Sequence, residues 1–239
     1  VRSIDWKVTA RTSKPYIKEY EQESEMQTYF IIDTSASMYF GHDSTYKFHR
    51  VLDYVSLFGQ LFLGNEDKIG LIYHNGKRLS IIKPKKGEKN LRIILKALSQ
   101  AQPITENPKL IQDLIDLGLR MRYRTGGIVI ISDFLNEMQN PVKFADLVSQ
   151  LAIKNDVFVT QILDKYEVEY DIDFGVNLKD VETQQSKIVK MNKVEKSQYK
   201  AKMKSLVARF HQELKKKGIS SISARTEVEP IISVKKLLS

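Results

Sequence analysis

Asp33, Ser35 and Ser37 alternate in the segment Asp33-Thr34-Ser35-Ala36-Ser37, so that in a tight loop their oxygens converge on one point. Asp133 ends a second apolar run, Ile128 to Ser132, and Thr105 offers a further hydroxyl in the connection Gln102-Pro103-Ile104-Thr105. These are hard oxygen donors, with no His or Cys among them. Magnesium asks for near-octahedral oxygen coordination at ~2.1 Å, keeps waters, and is held by one or two carboxylates. Asp33, Ser35, Ser37, Thr105 and Asp133 are therefore the expected ligands of a Mg²⁺ ion, with Mn²⁺ or Ca²⁺ as substitutes. Two carboxylates and three hydroxyls leave a coordination position open, and an acidic side chain of a partner protein is the natural group to fill it. The plainer alternative is that Asp33 and Ser35 cap one helix and Asp133 the next.

An aspartate after a first strand also suits an aspartate-dependent phosphotransferase, but that chemistry needs a general acid two residues on. That position is Ser35. The chain lacks the phosphate-binding glycine loops, the G-x-S-x-G elbow and the H-E-x-x-H pair, and His42, His49, His74 and His211 have no ligand spacing. We expect a binding module, not an enzyme.

Acids that end apolar runs must be carried by strands. Gln27 to Asp33, Lys68 to His74, Ile128 to Ser132 and Val157 to Leu163 read as buried strands. Helical spacing from Ser44 to Gly64, Lys89 to Leu98, Pro108 to Arg122, Pro141 to Ile153 and Glu195 to Lys217 separates them, and a short strand at Ile219 to Ser223 and a helix around Ile231 to Leu238 follow. Asn75-Gly76 predicts a two-residue hairpin, hence one antiparallel edge strand. The alternation gives an α/β, doubly wound, mainly parallel sheet, in which ligands gather beyond the carboxyl ends of the strands. Residues 164–192 break the pattern as a hairpin excursion.

The chain has 239 residues, 42% of them hydrophobic and 28% charged, which excludes disorder and collagen-like repeats. With no cysteine, thiol catalysis, thiolate zinc sites and disulfides are out of reach, and a reducing, cytoplasmic setting fits. No apolar run approaches the ~20 residues of a bilayer span. The chain starts at Val1, within what reads as a domain, so an upstream membrane anchor stays open. The net charge of +9 comes from the last quarter: residues 183–239 carry 14 Lys and Arg against 4 Asp and Glu. A solvated helix face explains this, because Tyr199, Met203, Leu206, Phe210 and Leu214 form an apolar stripe on the same segment. Nucleic-acid binding through that basic helix is the alternative function.

The ordered set Asp33-x-Ser35-x-Ser37, Thr105 and Asp133 resembles the metal ion-dependent adhesion site of von Willebrand factor A domains. Arg2-x-Ile4-Asp5-Trp6 followed by Ala10-Arg11, the segments IIDTSASMYFG and IVIISDFL, and LDKYEVEY leading into DVET narrow the resemblance to the bacterial family called domain of unknown function 58. The resemblance implies a von Willebrand A-like (Rossmann-like) fold over residues 27–239, a bound divalent ion, and association with MoxR-type AAA+ ATPases in chaperone-like or assembly work. Residues 1–26 would then be an N-terminal extension belonging to a larger upstream region, with Trp6 and Tyr16 packed beneath it. Tyr39 and Phe40, directly beyond the ligand loop, are the expected partner-binding residues.

Overall fold

The computed structural model describes residues 26–42, 45–64, 66–105, 107–121, 126–169, 176–179, 186–189 and 192–238. Residues 1–25 of the extension, the cap residue Ser44 and about half of the 164–192 excursion lie outside them.

The central strand β1 (Gln27–Ile32) is apolar from Tyr29 on because both of its faces are covered. Tyr29 and Ile31 enter one core, Phe30 and Ile32 the other. It pairs in parallel with β4 (Lys68–His74) and β6 (Gly126–Ser132). β7 (Asn155–Leu163) adds to β6 and β10 (Ser220–Arg225) to β7, both in parallel, while β5 (Leu79–Lys85) closes the far edge antiparallel to β4. The order β10-β7-β6-β1-β4-β5 is the doubly wound, mainly parallel sheet expected, with its one antiparallel edge strand. Two-stranded pieces β2 (Gly41–His42) with β3 (Thr45–Tyr46), and β8 (Val176–Lys179) with β9 (Ser186–Val189), stand apart from it.

One face is covered by α1 (Lys47–Gly64), α2 (Glu88–Ser99) and α7 (Pro230–Leu238), through Phe48, Val51, Phe58, Ile94 and Val234. The other carries α3 (Leu110–Arg120), α4 (Pro141–Ala152) and α6 (Lys193–Lys216). The stripe of α6 is used as its spacing predicts: Phe210 is fully buried against Phe134 and Phe144, at ring-centroid distances of 5.2 and 5.5 Å. A side chain of that size contributes about 2–3 kcal/mol by burial. Lysines of α6 are paired on the outside, Lys200 with Glu169 and Lys216 with Glu213, and Lys217, just past the helix, pairs with Asp146. Among the described residues no helix is long and apolar enough to cross a membrane.

Two boundaries differ from the sequence expectation. The Asn75-Gly76 turn is a four-residue loop, because the Asn75 side chain accepts from both Lys77 and Arg78 N–H and holds the chain open for two residues more. β6 begins at Gly126, since a Cβ there would lie 2.0 Å from the Gln27 carbonyl oxygen, so only glycine lets the two backbones approach. The excursion contains a short helix, α5 (Lys165–Glu169), which sends Glu167 back toward the rim.

Candidate functional site

The parallel register pairs Ile32 with Ile131, and the Asp33 N–H extends the ladder to the Ile131 carbonyl at 3.0 Å. Asp33 and Asp133 therefore leave the sheet side by side. Each carboxylate makes the same local turn, accepting the N–H two residues on: Asp33 from Ser35 at 2.8 Å, Asp133 from Leu135 at 3.2 Å. The capping alternative is thus partly realised, but with one oxygen of each acid. The Ser35 side chain caps nothing; its hydroxyl lies 3.1 Å from that of Ser37 and also bonds to the Asp33 carboxylate.

The remaining oxygens part ways. Asp33 Oδ2 accepts the Ser132 hydroxyl at 2.5 Å. Asp133 Oδ2 accepts the Lys47 ammonium at 2.7 Å, and the same fully buried ammonium reaches Glu167 Oε1 at 2.5 Å. Burial, with Asp133 repulsion behind it, pushes Asp33 up to about 6, against the bonds from Ser132 and Ser35. Burial works against the charge on Lys47, yet Asp133 and Glu167 hold its pKa above the usual lysine value. Burial likewise raises Glu167, with Lys47 opposing.

Asp33, Ser35, Ser37 and Asp133 line one cleft with Asn107, Asn136 and Glu137. Its open volume is about 10 Å³, the room of a single water-sized sphere. Thr105 is half-buried and does not line it. Thr105 follows Ile104, which is clipped to the ligand loop by Ala36 N–H to Ile104 O at 2.8 Å and Ile104 N–H to Thr34 O at 3.0 Å. The wall on that side is Asn107 and Pro108. Tyr39 and Phe40 do sit beyond the loop, but both are half-buried: Tyr39 stacks on Phe48 at 4.6 Å and donates its hydroxyl to the Ala101 carbonyl, and the Phe40 ring lies 5.9 Å from Lys47 Nζ. Burial and then Asp33 repulsion push Tyr39 up to about 12.

Sequence reasoning missed Lys47, Ser132, Glu137 and Gln161. Lys47 lies on the apolar stripe of α1, four residues before Val51, and a lysine in such a register is a signal of a buried cation. Gln161, buried on β7, donates to the Asp133 carbonyl at 2.9 Å, and its other amide atom meets His211, which burial lowers to about 4. Phe134 adopts φ 54°, a left-handed conformation that costs about 1 kcal/mol or more and turns the chain sharply after Asp133.

A three-layered α/β fold, a sheet with helices on both faces and an oxygen-donor cleft at the ends of its two central strands, defines the class. Within it, the chain belongs to the family described as protein of unknown function DUF58, whose profile matches residues 1–209. The uncharacterized protein Rv1480 of Mycobacterium tuberculosis (strain ATCC 25618 / H37Rv) is 28% identical over 187 residues, which is 77% of this chain. The chain spans 57% of the length of that relative. The fold is shared with the conserved hypothetical protein BatB from Bacteroides thetaiotaomicron, at a TM-score of 0.53 and 16% identity over 89% of this chain and 98% of that one. The SpRpn10 VWA domain matches at a TM-score of 0.49 and 15% identity, over 90% of this chain and 94% of its own.

Proposed function

We propose that this chain is a protein-binding module that takes a divalent cation, Mg²⁺ first, at the strand rim and recruits an acidic side chain of a partner protein there. One observation carries the reading: Asp33, Asp133 and the hydroxyls of Ser35 and Ser37 share a cleft with room for one water-sized sphere. Their donor chemistry fits a hard cation, and so does the local charge. Of the acids Asp33, Asp133, Glu137 and Glu167, only Asp133 and Glu167 meet a buried ammonium, that of Lys47, and the negative charge left on the others is what a dication would answer. Asp33, Ser35 and Ser37 would hold the ion, Asp133 would face it from the next strand, and Thr105 is one peptide from the loop they form. The bound ion would supply an open coordination position for an outside carboxylate.

The resemblance to von Willebrand A-type adhesion sites supports the same reading and suggests a MoxR-type AAA+ ATPase as the partner, in chaperone-like or assembly work in the cytoplasm. Calorimetric titration with Mn²⁺ and Mg²⁺ tests the core of it. Wild type should show one site that disappears in Asp33→Ala, and equal binding by both proteins would remove the proposal.

A further inference from the structure

Glu137, like Asp33, is an acid of this rim that no cation meets among the described residues. Its residue is 5% exposed, it lines the same cleft as Asp33, Ser35, Ser37 and Asp133, and its bond from Gln112 is long, at 3.3 Å. Lys47 answers Asp133 and Glu167, but among the described residues no Lys, Arg or His pairs with Glu137. Burial pushes its carboxyl up to about 7, its own backbone N–H and Gln112 pull it down, and Asp33 and Asp133 add repulsion. A carboxylate buried without a counter-charge is costly, and such groups pair or sit near a metal.

Among the described residues no three Asp, Glu or His side chains converge closely enough to hold a metal ion together. Magnesium keeps several of its waters, and a carboxylate that accepts from a bound water acts on affinity without entering the coordination sphere.

Building on the cation reading above, we propose that Glu137 is an outer carboxylate of the rim site, which holds a water of the bound ion and raises the site's affinity for divalent cations. It is a positioning residue. Its counterpart Gln112 on α3 fixes one side of the carboxyl, so that the rest of it can face the cleft.

The test is Mn²⁺ titration of wild type, Glu137→Gln and Asp33→Ala at pH 8, beside metal-free melting curves of the same proteins. Glu137→Gln keeps the shape and removes the charge, so Mn²⁺ binding should weaken at least tenfold, while the metal-free variant melts no lower than wild type. Affinity within twofold of wild type would overturn the role of Glu137 and leave the cation site standing. A metal-free Glu137→Gln that melts several degrees lower would show that Glu137 is a loop anchor, and would overturn it as well. If wild type takes up no Mn²⁺, or Asp33→Ala binds as wild type does, the cation site itself fails, and Glu137 with it.

Discussion

Asp33 and Asp133 end adjacent parallel strands, make the same turn with the N–H two residues on, and face one cleft, yet their charges are met differently. Asp133 has a buried ammonium at 2.7 Å, supplied by α1 and shared with α5. Asp33 has only neutral donors, the N–H and hydroxyl of Ser35 and the Ser132 hydroxyl. One strand end is electrostatically complete within the chain; the other is left with a deficit. The lesson is that two residues of one type in one local conformation can differ in role: Asp133 ties elements together through Lys47, while Asp33 keeps an uncompensated charge, which the proposed cation would answer.

The largest effect should come from Lys47→Met. It strands Asp133 and Glu167 in the interior without their shared cation, and breaking a buried pair in this way costs about 3–5 kcal/mol. Urea unfolding of the metal-free domain measures it, and a loss below about 1 kcal/mol would mean that the ammonium holds little together.

The two aspartates themselves give the next contrast. Asp133→Asn leaves Lys47 short of one partner and should destabilise the metal-free domain by about 2 kcal/mol at pH 8. Asp33→Asn removes a buried charge that nothing neutralises, so the same measurement should show stability unchanged or raised by about 1 kcal/mol. Equal losses in both variants would erase the distinction.

The pH dependence has opposed parts. Glu137 and Asp33 titrate near 7 and 6 in the folded chain, above their unfolded values, so the native state holds more protons than the unfolded state between about 4 and 7. Their contribution falls as pH rises through that window. His211, lowered to about 4, acts the other way: the unfolded chain protonates at about 6.5 while the native state stays neutral, so its contribution is lost as pH falls from about 6.5 to 4. The clean measurement is the stability difference between Glu137→Gln and wild type. It should be near zero at pH 4.5 and grow in favour of the variant to about 2–3 kcal/mol by pH 8, and a flat difference would contradict an uncompensated Glu137.

Ser37→Ala should change stability least, by under about 0.5 kcal/mol, because its hydroxyl meets only that of Ser35 at the rim. Affinity for an acidic partner in the presence of Mg²⁺ should fall far more. A stability loss large enough to explain the binding defect would make Ser37 a structural element of the loop.

Much of this was legible in the sequence, for physical reasons. A short, β-branched apolar run such as Ile128 to Ile131 reads as a strand covered on both faces, and an acid that ends such a run emerges at the rim. The pairing of Asp33 with Asp133 followed from that. The register of Lys47 hinted at a buried cation but not at its partners, because neutralisation by Glu167 depends on α5, a five-residue helix in an irregular stretch with no periodicity to announce it. Glu137 looked like an ordinary polar residue in Asn136-Glu137-Met138, and only the turn at Phe134 folds that segment back over the cleft. Tyr39 was expected to face a partner, but its aromatic ring satisfies Phe48 first.

The most direct test of the claim that the Asp33 end of the rim awaits a cation is an anomalous difference map from crystals grown in millimolar Mn²⁺. A single peak should lie within ~2.1–2.3 Å of the Ser35 and Ser37 hydroxyls and beside the Asp33 carboxylate, with Lys47 still paired to Asp133. An empty cleft at that concentration, or a peak on the Asp133 side with Lys47 displaced, would contradict it.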